Sequence, residues 1–506
     1  MTLLQYVEFQ YRPTSTQQYV GSTTDCSFSH ESNGLMNDRG PQRNEVTKSR
    51  ASRFAEETTL HGVRYVANGH IHHARRICWL ILLVCLAVWL AYGIVNGLTK
   101  YFSYPISTAV MFNYVNNLEF PAVTICNYNQ FRKSHLQNYT LLREVLTSLS
   151  TSDSVDIDWD LNDMDDYLNM TEVAIKLAHQ LDDMLIECTW NQEETCGAHN
   201  FTTVITDFGV CYTFNSISNS ELMVTEAGSS QGLRLRLSAE QYDYFWGYYT
   251  GAGFKIFVHP KGQFPLVGQF GISASPGFKT SVRISYITST NLPPPYSSNC
   301  VGDKKLKHSI NYSAEACFYE CQTDFITTYC GCRYYFFPGT EGLCNLREIL
   351  ECVFPAINNI TDLCSSCECP LPCKEEAYEM KISFTLWPSD FEATYIANNL
   401  NKTTDFLRSN LLELNLFFDV LGIEELSQTP SYDYFALQSD IGAYMGLFGG
   451  ASIVTIFEFI DCILATVSRR RRKAIVQENV GDVIKPHGKH QVSSNRTDEN
   501  IAMDDK

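Results

Sequence analysis

Positive charge is what this chain is short of. Its 506 residues carry 38 Lys and Arg against 56 Asp and Glu, a formal net charge of −18. So acidic a balance argues against nucleic acid as a partner and favours solubility or the attraction of cations. The N-terminus lacks a basic stretch followed by an apolar core, so no cleaved signal peptide is expected. No nucleophile and base are arranged in a pattern that supports an enzyme. Long apolar runs are also scarce, and two stand out. Ile77 to Val95 (ICWLILLVCLAVWLAYGIV) holds no charge at all, and Asp440 to Val467 (DIGAYMGLFGGASIVTIFEFIDCILATV) forms the second. Each is about long enough to cross a bilayer as one helix, at roughly 1.5 Å per residue. The chain is too long for one ordinary domain.

Basic residues are not only few but placed. Arg75 and Arg76 precede the first run, Arg469 to Arg472 and Lys473 follow the second, and none lies between Arg408 and Arg469. The positive-inside rule then puts both termini in the cytoplasm and residues 101–440 outside the cell. Two further patterns agree. Fifteen of the nineteen cysteines fall in that middle segment, as an oxidising compartment allows. Six glycosylation sequons lie there too, at Asn138, Asn169, Asn200, Asn311, Asn359 and Asn401, whereas Asn495 heads a seventh that would be cytoplasmic and unused. The expected organisation is a cytoplasmic segment 1–76, a first span 77–98, an extracellular domain 99–440, a second span 441–467 and a cytoplasmic tail 468–506.

The second run is a poor lipid-facing helix. It contains Gly442, Gly446, Gly449 and Gly450 and two acids, Glu458 and Asp461. Acids inside a span face a water-filled path or a partner, and small residues let helices approach closely. Gly450-Ala451-Ser452 sits near the middle, where a broken or extended backbone could turn carbonyls towards an ion. The bland alternative is an ordinary anchor with a packing face.

Along the chain, residues 1–55 are polar and aperiodic and read as a disordered tail. His61-Gly62 alone suggests a turn. His70, His72 and His73 have no cysteine cluster beside them, so no metal is assigned there. Lys100 to Asn127 alternates like strands. Seven aspartates crowd residues 153–166, and Asp156, Asp158 and Asp160 make a D-x-D-x-D pattern. The glycine and distal glutamate of a calcium loop are missing, so a solvated acidic loop or helix start is the preferred reading. Phe201 to Tyr286 is largely β in texture. Leu292-Pro-Pro-Pro-Tyr296 looks like a ligand of cytosolic WW domains, but outside the cell it serves as a rigid connector. Residues 300–373 are cysteine-rich, and zinc yields to a disulfide ladder on compartment grounds. Phe391 to Arg408 reads as helix and Leu411 to Val420 as strand.

Several stretches together resemble one family. They are His61-Gly62, Phe120-Pro-Ala-Val-Thr-Ile-Cys126-Asn127, Gly209-Val-Cys211-Tyr-Thr-Phe214-Asn215, the cysteine block and Gly446-Leu-Phe-Gly-Gly450-Ala-Ser452. The chain resembles the degenerin, epithelial sodium and acid-sensing ion channel superfamily, nearest to its acid-sensing and bile-acid-sensitive branch. The resemblance implies a membrane protein of α+β class. Two transmembrane helices would flank a large disulfide-rich extracellular domain with a β-sheet palm and helical finger and thumb, assembled as a homo- or heterotrimer. It implies a selectivity filter at Gly450, Ala451 and Ser452 and a re-entrant pore loop at His61 and Gly62. Asp440, Ala443, Leu447, Glu458 and Asp461 would line the pore, and Ser439, Tyr104, Tyr296, Leu421 and Gly422 would serve gating. It also implies the bridges Cys126–Cys211, Cys188–Cys196, Cys300–Cys373, Cys317–Cys369, Cys321–Cys367, Cys330–Cys352 and Cys332–Cys344, with Cys364 left over.

The implied activity is an amiloride-sensitive, sodium-selective channel of the plasma membrane, with Na+ permeating, Ca2+ as a candidate blocker and no cofactor. An extracellular ligand, calcium removal or constitutive leak would open it. A proton-gated channel and a non-conducting cell-surface receptor are the alternatives. Departures weigh against the usual proton sensors: the turn Phe245-Trp-Gly-Tyr-Tyr-Thr-Gly251 has no acids, and Ile106 and Met111 occupy the family's His and Asp positions. The linker Leu421-Gly422 has glycine where acid-sensing relatives carry asparagine, which suggests a freer backbone there. Six acids between Leu411 and Asp440, namely Glu413, Asp419, Glu424, Glu425, Asp433 and Asp440, suggest a negative vestibule.

Overall fold

The computed structural model describes most of residues 54–468. Residues 1–53, 56–57, 59, 61, 68–70, 152–168, 193, 217–221, 246–248, 303, 309–310, 359–366, 453–454 and 469–506 lie outside it. His61, the 153–166 aspartates, the centre of the Phe245–Gly251 turn, Asn359, Cys364 and both tails therefore fall outside the described residues.

The uncharged run makes one helix, α1 (His73–Phe102), of 30 residues, extending past the run at both ends. At roughly 1.5 Å per residue it is about 45 Å long, more than a hydrocarbon core of about 30 Å requires. Ile81, Val88, Trp89 and Tyr92 on its surface are exposed, and Gly93 and Gly97 are its buried residues. Among the described residues it is the one helix long and apolar enough to span a membrane.

Between the two runs the β-branched stretches form strands: β1 (Ile106–Tyr114), β2 (Ala122–Asn127), β3 (Leu185–Trp190), β4 (Phe201–Thr206), β5 (Gly209–Phe214), β6 (Leu233–Ser238), β7 (Phe254–His259), β8 (Ile272–Ala274), β9 (Phe278–Thr290), β10 (Lys374–Leu386) and β11 (Leu411–Pro430). The larger sheet runs β10-β9-β11-β6-β3, and β1 joins the far half of β11. Its β9–β11 pair is parallel and the neighbouring pairs are antiparallel. The smaller sheet runs β8-β7-β2-β5-β4. Alternation decides which faces meet. In Leu-Arg-Leu-Arg-Leu-Ser of β6 the leucines are fully buried and the residues between them are half-buried, as a period of two requires. They meet Leu412, Leu414 and Leu416 of β11 and Phe120, Ile125 and Phe254 in one core.

The helices sit around these sheets: α2 (Met170–Leu177), α3 (Ala314–Cys330), α4 (Asp390–Leu400) and α5 (Thr404–Asn410). The stretch 391–408 is thus two helices, because Asn401 takes a left-handed conformation at φ 49° and closes α4. Ser313 caps α3 by accepting from the Ala316 amide, and Gly331 at φ 74° ends it. A second core of aromatics, Tyr319, Tyr334, Tyr335, Phe336 and Phe337, packs beneath α3. Seven disulfides pin the domain, with the pairing the resemblance implied and Cα separations of 4.4–6.1 Å. Cys78, Cys85 and Cys462, in the two apolar runs, are free.

The strand after Leu411 is longer than its sequence suggests. It continues past Val420 to Pro430 because β1, leaving α1, pairs with it from Tyr114↔Gly422 to Ile106↔Pro430. The domain thus returns to the end of α1 as two paired strands. Two residues on this path have neighbours that the sequence did not show. Glu413 is 3% exposed and pairs with Arg236 at 3.0 Å and Lys279 at 2.9 Å. Burial alone would push its carboxyl up, but hydrogen bonds from Lys279 and Arg236 outweigh this and hold it below the usual range. Glu413 is a neutralised residue of the larger sheet, which takes it out of the acids expected to form a vestibule. Gly422, for its part, is in ordinary strand conformation. A Cβ there would lie 2.5 Å from the tip of the exposed Phe112 ring, so a side chain at this position requires that ring to move.

His259, ending β7, gives the domain an acid dependence. It is 3% exposed. Its Nδ1 donates to the Pro260 carbonyl at 3.0 Å, so Nε2 accepts from the Thr124 hydroxyl at 2.8 Å. Burial pulls its pKa down to about 4 against the weaker opposing effect of the Pro260 bond. The unfolded chain, with an ordinary histidine near 6.5, binds this proton more readily. The contribution is therefore whole above about pH 6.5 and declines as pH falls towards about 4. Between pH 7 and 5 the wild type should lose roughly 2 kcal/mol through this group. Thermal unfolding of His259→Gln should show a smaller acid loss, and an equal loss would assign it elsewhere.

Candidate functional site

The second run is not one continuous helix: of the readings open for its middle, the broken backbone is the one that forms. Asp433 starts α6 (Tyr434–Tyr444) by accepting from the Ala436 amide at 2.8 Å. A π-helical turn follows at Met445–Gly449, and Gly450 stands at φ 58°, ψ 22°. The Gly450 amide donates to the Gly446 carbonyl and the Ala451 amide to the Met445 carbonyl, both at 3.1 Å. This is a helix stop that wants glycine in the left-handed position. Helix resumes over residues 455–468. The Ser452 amide turns to the Thr455 hydroxyl at 3.1 Å. Gly450, Ala451 and Ser452 are thus the irregular backbone between two helical halves.

Against α1, α6 has a definite face. A Cβ on Gly93 would lie 2.9 Å from the Tyr444 ring, and one on Gly97 would lie 3.4 Å from Leu437. Trp89 meets Phe448 at 6.1 Å between ring centroids. Gly93 and Gly97, spaced as G-x-x-x-G in the first run, are contact residues that the sequence reading missed. The motif itself was the available signal. The opposite face of α6 and the π turn carries Ser439, Ala443, Gly446 and Leu447, all exposed in the single chain. These positions recur at spacings of three or four and make one stripe. Asp440 is half-buried, because the Tyr432 hydroxyl donates to its carboxylate at 2.6 Å and Lys100 lies 4.4 Å over the Tyr432 ring.

Below the break, the N-terminal segment returns to the second run. Thr58 donates to the Glu458 carboxylate at 3.2 Å, and the Phe54 and Phe459 rings lie 5.0 Å apart. Gly62, at φ 82°, packs on Leu83 and Trp79 of α1. Asp461, three residues on from Glu458, is exposed. At the other end of α1, Tyr104 meets Tyr296 edge-on at 5.6 Å. Leu421 packs against the core of the larger sheet. The five sequon asparagines that are described, Asn138, Asn169, Asn200, Asn311 and Asn401, are all exposed.

Comparison with known proteins follows the same lines. The family described as amiloride-sensitive sodium channel matches residues 54–462. Acid-sensing ion channel 1C of Danio rerio is 31% identical over 86% of this chain and 89% of its own. Acid-sensing ion channel 2 of Homo sapiens is 32% identical over 85% of this chain and 89% of its own. A solved proton-activated chloride channel aligns over 77% of this chain and 96% of its own with TM-score 0.34 and 6% identity, a likeness too weak to carry any conclusion.

Proposed function

The chain belongs to the amiloride-sensitive sodium channel family, whose members are ion channels and not enzymes, and from that premise we propose that it forms a sodium-selective, amiloride-sensitive channel of the plasma membrane. Three subunits, of one kind or of related kinds, put their second runs together. Both termini are cytoplasmic, and the domain boundaries are those read from the charge pattern. Gly450, Ala451 and Ser452 form the filter. Ser439, Ala443 and Leu447 face the axis above it. Glu458 and Asp461 lie below, with His61 and Gly62 in the loop at the cytoplasmic mouth. The observation that carries this reading is the helix stop at Gly450, flanked on one side by an exposed small-residue stripe and on the other by acids. Backbone freed from a helix within a membrane is tolerated where it is covered by protein or lines a water-filled path. Whole-cell recording of this subunit expressed alone in oocytes, with amiloride and sodium replacement, tests the proposal. Silent cells with protein at the surface would favour the receptor reading.

The acids above the filter fall into two groups. Glu413 is neutralised in the larger sheet and Asp419 faces Arg283 at 3.6 Å, which leaves Glu424, Glu425, Asp433 and Asp440 nearest the membrane. Three copies of Asp440 would gather cations and offer hard oxygen ligands to calcium. Asp440→Asn should weaken block by external calcium several-fold with little change in surface expression. Identical block curves would remove Asp440 as the main blocking site. Tyr432→Phe, which frees the Asp440 carboxylate from its hydrogen bond, should alter block without removing it.

A further inference from the structure

A cavity of about 350 Å³ opens where the edges of the two sheets come together. From the larger sheet, Trp190 of β3 and Glu194 and Thr195, which pair back onto β3, line it. From the smaller sheet come Phe214 of β5 and Thr202 of β4. The volume is at the lower end of the roughly 300–1,000 Å³ of ligand sites, so it suits one ring-sized group. Trp190 and Phe214, with rings 5.9 Å apart, belong to the core and are almost wholly buried. Glu194, Thr195 and His199 are exposed, and the lining as a whole is mostly polar. The walls are braced. Cys196 is bonded to Cys188, and the Thr202 and Ser216 hydroxyls meet at 2.9 Å. Asn215, also in the lining, donates from Nδ2 to the Phe120 carbonyl at 2.6 Å, while its buried Oδ1 has no hydrogen-bond partner. The wall therefore holds an acceptor in want of a donor.

Asn200 borders the same cavity and heads the sequon Asn200-Phe201-Thr202. The Gly197 amide donates to its Oδ1 at 2.9 Å. That bond holds the amide plane and leaves Nδ2, the atom a glycan is joined to, without a partner among the described residues. Two other sequon asparagines have this nitrogen engaged. Nδ2 of Asn169 donates to Glu172 at 3.0 Å, and that of Asn311 donates to the Lys261 carbonyl at 2.8 Å. The chemistry of the cavity matches a sugar ring. Such a ring offers apolar C–H faces to aromatic side chains and hydroxyls that both donate and accept. The lining has one carboxylate and no Lys or Arg, which suits a neutral ligand better than an anion. Its polar walls would leave hydroxyls and a carboxylate unpaired against a wholly apolar one.

We infer that this cavity seats the first sugar of a glycan carried by Asn200, so that the glycan braces the two sheet edges instead of projecting into solvent. In the joining step Nδ2 replaces the diphosphate on the anomeric carbon of a lipid-diphosphate-linked oligosaccharide. The diphosphate leaves with the bonding electron pair, one amide hydrogen leaves as a proton, and the other stays on nitrogen as a donor. The seated ring lies against Trp190 and Phe214, and its hydroxyls pair with Glu194, Thr195 and His199. The seat rests on the extracellular placement of this domain in the channel reading, because glycans are added only on that side of the membrane.

The test uses the full-length protein from animal cells, purified in detergent, and reads sugar and backbone, not current. Glycopeptide mass spectrometry should find Asn200 occupied. A peptide N-glycosidase should release its glycan from the folded protein about ten-fold more slowly than those of the other occupied sequons, since release waits on local opening, and at the same rate once the protein is denatured. Hydrogen exchange over residues 194–202 should rise about five-fold or more in Thr202→Ala, which loses the sequon. Ser216→Ala removes the same hydroxyl pair but keeps the sequon, and its exchange should stay close to that of the wild type. Sugar elsewhere with Asn200 bare, equal release from the folded protein at every site, or exchange that rises alike in both variants overturns the seat. A chain bare at all six sequons overturns the extracellular placement and the seat with it. Where Thr202→Ala fails to fold, the release rates of the wild type decide.

Discussion

Gly450→Val should abolish the preference for sodium over potassium, or abolish current outright, while protein still reaches the cell surface. The reason is conformational. Gly450 holds φ 58° at the end of the π turn, and a β-branched residue is a true outlier there. Forcing it costs on the order of 1–3 kcal/mol per subunit. In a trimer three such sites face one another, so the sum is about 3–9 kcal/mol, concentrated where the proposed filter is narrowest. The cheapest relief is to move φ negative and carry the helix onward. That would withdraw the Ala451 amide from the Met445 carbonyl and rotate the Ala451 and Ser452 carbonyls away from their present directions. Gly450→Ala, which tolerates the left-handed region better than valine does, should show an intermediate loss. Bi-ionic reversal potentials are the measurement, and values unchanged in both variants would take this backbone out of the filter.

How much of this was legible in the sequence depends on the range of the interaction. The long apolar helix α1 and the strand texture of 201–286 follow from neighbours within a few residues, and periodicity displays them. The family motifs carried the rest of the outline, including a disulfide pairing that spacing alone leaves open. What failed was chemistry set by distant partners. Glu413 looked like one more vestibule acid because its neighbours along the chain are acidic or apolar. Arg236, which neutralises it, is 177 residues away and becomes a neighbour only through the β6–β11 register. At Gly422 the sequence likewise gave no sign of Phe112, whose ring comes to the glycine only through the β1–β11 register. Gly93 and Gly97 are the opposite case. Their spacing was in plain view inside the first run, and only attention to the second run's glycines passed over it.

Those two glycines set up the other large effect, at Ser439. Ser439→Phe should give a standing inward current in the absence of any stimulus, close to the maximal current of the wild type. Ser439 is exposed on α6, on the side away from Leu437 and Tyr444, which fill the hollows at Gly97 and Gly93. If the exposed face meets its counterparts in two other subunits, a phenyl ring there must find room. It cannot do so by pressing α6 towards α1, because the space over Gly93 is already taken by the Tyr444 ring. The helices must instead splay at this height. Overpacking of this kind costs typically about 1–3 kcal/mol per site, so three sites bring about 3–9 kcal/mol to bear on the closed arrangement. Moving a two-state equilibrium from 1:99 to 99:1 takes about 5.5 kcal/mol, which lies within that range. Ser439→Cys should be quiet until a bulky thiol reagent is added and then pass sustained current, which separates the volume of the side chain from any effect on folding. Normal surface levels with no current in either case would place the gate elsewhere along the second run.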